Sequence, residues 1–156
     1  VSEWDDFENR LGAALRQVTD RVFLIVASQD APLKYVQFAA TAELLDAQAP
    51  GIDVVVAAKE AALSGAGWAP PSDLEPNWTS PLPRPALSAE YAALAARCVV
   101  ALRDAFGVES PFQLAYRAWR EAEQMPPGVT YNQAQLRRLD PGESGLELPA
   151  LALGTF

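Results

Sequence analysis

The sequence predicts an α+β domain: an N-terminal helix, a small antiparallel sheet of about three strands, and then packed helices. Three observations carry that prediction. Apolar residues recur at helical spacing over the first eighteen positions and again after Ser88. Between these stretches, from Arg21 to Ala42, the pattern changes to a β-branched run followed by strict alternation. Strands clustered together, rather than alternating with helices, place the chain in the α+β class.

Ser2 suits the cap of the first helix, with Asp5 at its third position, a variant of the capping box in which a carboxylate also meets the positive helix end. Trp4, Phe7, Leu11, Ala14, Leu15 and Val18 form its apolar stripe, which can cover one face of a sheet. Val22 to Ala27 is apolar on both faces. Such a run belongs in the middle of a sheet, so it needs a third neighbour and cover on both sides. Ser28 to Pro32 reads as a turn. The second strand, Leu33 to Ala42, sets Tyr35, Gln37 and Thr41 opposite Val36, Phe38 and Ala40.

Glu43 to Ala47 reads as a short third strand, ended by Pro50-Gly51. Asp53 can cap a helix over Val54 to Ser64, which Gly65 and Gly67 stop. The Gly-Ala-Gly here is a poor phosphate loop, because Trp68, Ala69 and Pro70 follow where the dinucleotide pattern needs another glycine. From Pro70 to Pro85 lie six of the thirteen prolines, which predicts an extended strap without regular structure. Its tryptophans, Trp68 and Trp78, either pin the strap to the core or display themselves to a partner. Pinning is favoured by tryptophan's large area.

Ser88 caps the longest helix, with Tyr91, Leu94, Ala95, Cys98, Val99, Leu102, Ala105 and Phe106 on one stripe. Gly107 ends it, and Val108 can close the hydrophobic contact of a glycine cap. Ser110-Pro111 then reads as the start of a further helix, with Phe112, Ala115, Tyr116, Trp119 and Ala122 on its buried side. Met125-Pro-Pro-Gly closes the compact part. The expected organisation is therefore one domain over residues 1–124 and a tail over 125–156, extended or loosely packed, whose end GLELPALALGTF is apolar.

Composition narrows the function. At 156 residues the chain suits one domain, which buries roughly 70% of its unfolded surface. Its net charge is -8, with -5 in residues 1–60, -2 in 61–124 and -1 in 125–156, so no region is basic. Nucleic acid and anionic membranes are poor partners for such a chain, since binding them requires a cationic face. Cys98 is the only cysteine, and no secretory leader or apolar span is visible, which together predict a cytoplasmic protein. There is no histidine, so the usual nucleophile triads and nitrogen ligands for zinc are missing. Asp5-Asp6 and Glu121/Glu123 point apart on a helix and do not form an acid and base pair. The expectation is no catalytic residues, no metal and no cofactor: a binding domain and not an enzyme.

Several local features occur together: Tyr35-Val-Gln-Phe-Ala39, Gly67-Trp68 with Pro70-Pro71, Asn77-Trp78, Ser88-Ala-Glu-Tyr91, Leu102-Arg-Asp-Ala-Phe-Gly-Val108 with Ser110-Pro111, and Leu114 with Tyr116. In this order the chain resembles the actinobacterial type III secretion chaperone-like and YbjN-like proteins, the TY-Chap domains, over roughly residues 3 to 122. The resemblance implies a non-catalytic secretion chaperone-like fold that binds a polypeptide client and commonly dimerises. The site is expected around Tyr35, Gln37, Trp68, Asn77 and Trp78. The alternative reading is a structural or regulatory homo-oligomer with no client.

Overall fold

The structure, a computed structural model, describes residues 2–51 and 57–121. The predicted cap Asp53, the start of its helix and the tail over 125–156 lie outside the described residues. In order come α1 (Glu3–Leu15), β1 (Val22–Ser28), β2 (Tyr35–Ala40), β3 (Leu44–Ala49), α2 (Ala57–Ala66), β4 (Trp78–Pro83), α3 (Ser88–Val99) and β5 (Leu114–Arg120). The α+β class holds, but the sheet has five strands, in the order β4-β3-β2-β1-β5, with every pairing antiparallel.

The capping box of α1 forms as expected. Ser2 Oγ accepts the Asp5 N–H at 3.1 Å, and Asp5 Oδ2 accepts the Ser2 N–H at 3.3 Å. At α3 the cap moves one residue forward, to Leu87, because Glu90 reaches back to take the Leu87 N–H at 3.1 Å. Ser88, expected as the cap, is the first helical residue. Beyond Val99 the helix continues from Val100 to Ala105 wound as a π-helix. Gly107, at φ +73°, ends it, and the Val108 N–H turns back to the Leu102 carbonyl at 2.9 Å.

The two additional strands correct two expectations. Ser110-Pro111 does start a helical turn, with Ser110 Oγ accepting the Phe112 N–H at 3.2 Å, but the turn stops after Pro111–Gln113. Leu114 to Arg120 then pairs with β1 along its whole length, from Val22↔Arg120 to Ser28↔Leu114. The segment LAYRAWR satisfies both a helical and an alternating pattern, and the unsatisfied edge of β1 decides in favour of the strand. Phe112, expected on a buried helix side, is 60% exposed. β1 thereby gains a second flanking strand, which places its apolar run inside the sheet.

The proline strap likewise contains a strand, β4, at the other edge of the sheet. Thr79 exchanges both backbone hydrogen bonds with Ala69, at 2.8 and 3.1 Å, so the odd-numbered residues of β4 aim their N–H groups away from β3. Pro81 and Pro83 occupy those positions. Proline is compatible with an edge strand where its missing N–H faces outward.

The helices lie on one face of the sheet. Val22, Leu24, Val26, Val36, Phe38, Leu45, Ala47, Trp78 and Leu82 turn toward them and are buried. α1 packs on α3, and α2 packs on the π-helical segment, with Leu63 fully buried. Arg97 of α3 ties this layer to β4, donating to Ser80 Oγ at 3.2 Å.

Candidate partner-binding face

A strand sends alternate side chains to opposite faces, so the buried set on one side fixes the set on the other. Phe23, Ile25, Tyr35, Gln37, Ala39, Asp46, Gln48, Arg117 and Trp119 all face away from the helices. Each is only partly buried or exposed, whereas the helix-facing residues that alternate with them in β1, β2 and β3 are buried, as is Ala118 between Arg117 and Trp119. The apolar run of β1 therefore has cover on one side only among the described residues.

The pairing register builds this face from the centre outward. Phe23 stands opposite Ala39 on one side and Trp119 on the other. The Phe23 and Trp119 rings stack, with centroids 5.4 Å apart and planes 13° from parallel. The Arg117 guanidinium lies 5.3 Å from the Trp119 ring centroid, an attractive arrangement for a cation over an aromatic face. Next to the stack is a hollow of about 210 Å³, walled by Phe23, Ile25, Ala39 and Trp119 and bordered by Gln37, Asp46 and Gln48.

The border is hydrogen-bonded into one row. Gln48 Oε1 accepts from Gln37 Nε2 and from Asn77 Nδ2, both at 3.1 Å, while Gln48 Nε2 donates to Asp46 Oδ2 at 3.0 Å. Apolar side chains thus sit beside amides whose positions are fixed by their neighbours. Such a mixture suits a polypeptide, which presents both apolar side chains and backbone polar groups.

Of the five residues predicted for the site, the fold brings Tyr35, Gln37 and Asn77 to this face or its rim. Gln37 and Asn77 meet through Gln48. Trp68 and Trp78 stand behind the sheet instead, 2% and 3% exposed. The Trp68 indole N–H donates to the Arg97 carbonyl at 3.0 Å, just before the winding of α3 changes. Trp78 pairs with Ala49 and faces the helices. The pinning role is the one their burial describes. Phe23, Ile25, Gln48 and Trp119 were not among the predicted site residues. The signal for Gln48 was present in its alternation with the buried Ala47 and Ala49.

The groups with shifted ionisation lie elsewhere. Burial pushes the Cys98 thiol well above its ordinary value, and the neighbouring Arg97 offsets part of that. A thiol held protonated in a core is a packing element. Asp104 is held below the usual carboxylate range by its hydrogen bonds from Arg103, at 2.8 and 3.1 Å, in an exposed pair. Among the described residues no three His, Cys, Asp or Glu side chains converge as a metal site requires.

Residues 1–120 match the model of the family described as T3SS (YopN, CesT) and YbjN peptide-binding chaperone 3, or TY-Chap3. The chain belongs to this family. The TY-Chap3 match ends at Arg120, the last residue of β5, so it spans the helices and the complete sheet. Residues 121–156 fall beyond it. No curated protein and no solved structure matches the chain. Among the described residues, no helix is long and apolar enough to cross a membrane.

Proposed function

We propose that this TY-Chap3 chain is a non-catalytic module that holds an extended segment of a polypeptide client on the open face of its sheet. The observation that carries this reading is the Phe23–Trp119 stack beside Ile25. It is an apolar centre on a sheet whose other face already supplies the core. Apolar patches of this kind on a soluble domain mark interaction sites. The peptide-binding description of the family supports a polypeptide as the occupant.

In this reading, apolar client side chains enter the hollow beside Phe23, Ile25 and Trp119. Gln37 and Gln48 exchange hydrogen bonds with the client backbone, and Tyr35 and Asn77 bound the same surface. Trp68 and Trp78 serve indirectly, by fixing the strap and β4 from behind. The acidic chain, at net charge -8, favours clients that are apolar or basic over acidic ones. The lone cysteine is buried, which fits residence in a reducing cytoplasm.

The test is hydrogen exchange of the full chain with and without a permanently unfolded test polypeptide, reduced and carboxymethylated so that it cannot refold. Added protection in β1, β2 and β5 is expected. Protection confined to the helices, or none at saturating polypeptide, refutes the placement. The second reading, a homo-oligomer with no client, rests on the same open face, which a second copy of the chain can cover. Sedimentation separates the two: a dimer whose β1 and β5 are already protected, and which captures no polypeptide, supports that reading.

A further inference from the structure

We infer that residues 142–156 of the same chain dock on the open sheet face as an intramolecular ligand that a client must displace. This rests on the reading of that face as a docking surface, and it goes further by naming an occupant. Four observations converge on it.

The first is the exit point. The Glu121 N–H bonds to the Arg21 carbonyl at 2.7 Å, so the chain leaves the sheet two residues after Trp119 and beside the strand that carries Phe23. The second is reach. The segment 122–141, if extended, spans roughly 65 Å at about 3.3 Å per residue, whereas five strands are only about 20 Å across. Residues 142–156 can therefore meet any point of the face, and a tether of this length holds them at an effective concentration on the order of millimolar.

The third observation is composition. From Gly145 to Phe156 the sequence GLELPALALGTF carries one charge, Glu147, among four leucines and a phenylalanine. Left in water, such a segment has the same unfavourable exposure as the face itself, and mutual burial relieves both. Arg117, above Trp119 at the rim, supplies the countercharge for Glu147. The fourth is that the segment lies beyond the TY-Chap3 match, which ends at residue 120, so it is not needed to build the sheet or the helices.

The experiment uses the full chain and Trp119 as its reporter. Trp4, Trp68 and Trp78 are 8%, 2% and 3% exposed, so acrylamide quenching reports chiefly on the half-buried Trp119. Substituting Leu151→Asp and Leu153→Asp together should raise quenching several-fold, with the far-ultraviolet circular dichroism unchanged. The same change in a Trp119→Phe background should have no effect on quenching. A synthetic peptide of residues 142–156, added to the doubly substituted chain, should restore protection. Equal quenching in the wild-type and substituted chains overturns the inference, as does protection that depends on protein concentration and not on the tail. If quenching is equal while the unfolded test polypeptide still protects β1 and β5, the inference alone fails. If the polypeptide leaves those strands unprotected as well, the placement of the client fails with it.

Discussion

Alanine at Trp119 and alanine at Trp78 should have opposite consequences, because the two rings stand on opposite faces of one sheet. Trp78 is 3% exposed and faces the helices. Truncating a buried ring of this size costs about 3–5 kcal/mol, a large part of the roughly 5–15 kcal/mol that holds a typical domain folded. Trp119 is half-buried, and its loss removes the stack on Phe23 and the contact with Arg117. An aromatic pair is worth about 0.5–1.5 kcal/mol and an exposed cation–π contact about 0.5–1 kcal/mol, so losing both in Trp119→Ala should cost about 1–2.5 kcal/mol of stability. Its effect on binding should be larger. A tryptophan at the centre of an interface contributes about 2 kcal/mol or more, which is roughly 30-fold in affinity. Urea unfolding followed by circular dichroism reads the first quantity, and anisotropy of a labelled, permanently unfolded polypeptide reads the second. The reasoning is refuted if Trp119→Ala destabilises as much as Trp78→Ala, or if it folds normally and binds the polypeptide as tightly as wild type.

Three further outcomes follow from individual contacts. Replacing Pro81 and Pro83 by threonine restores two outward N–H donors on β4, each worth about 0.5–1.5 kcal/mol net when paired, so the variant should associate beyond the wild-type state in sedimentation; unchanged association would show that the prolines do not guard this edge. Burial holds the Cys98 thiol protonated above its ordinary value of 9.0. Below that pH both folded and unfolded states keep the proton and the thiol has no influence; above it only the unfolded thiol ionises, so stability should fall by about 1.4 kcal/mol per pH unit relative to Cys98→Ala. Equal pH profiles for the two proteins between pH 8 and 10 would contradict the burial. A Cβ at Gly51 would strike the Pro76 carbonyl oxygen and come within 3.1 Å of its carbon, both backbone atoms. Gly51→Ala should therefore shift the segment leading to Asn77 and cost about 1–3 kcal/mol in thermal or chemical unfolding, whereas an unchanged midpoint would mean that the segment moves freely.

The parts of the fold legible in the sequence were those set by local chemistry. The Ser2–Asp5 capping box, the β1–β2 hairpin and the Gly107–Val108 terminator each depend on residues a few positions apart, and each is present in the structure. What the sequence concealed was decided by partners far along the chain. LAYRAWR is a strand because β1, nearly a hundred residues earlier, has an edge to fill. Pro81 and Pro83 are admissible in a strand only because Ala69, and not a further strand, takes the outward groups of Thr79. Neither fact has a local signature, so period and propensity alone gave a helix and an irregular strap.

The same division explains the site. Tyr35 and Gln37 could be found because alternation in β2 separates them from Val36 and Phe38 within one element. Trp119 and Phe23 could not be found as a pair, since their stacking requires the β1–β5 pairing that the helical reading of residues 112–122 excluded. Once β5 is a strand, the apolar run of β1 acquires its meaning. Val22, Leu24 and Val26 are buried under the helices, while Phe23 and Ile25 have no such cover among the described residues. A run apolar on both faces calls for cover on both faces. Here the helical layer supplies one cover, and the function proposed for the chain is to leave the other to be supplied by polypeptide.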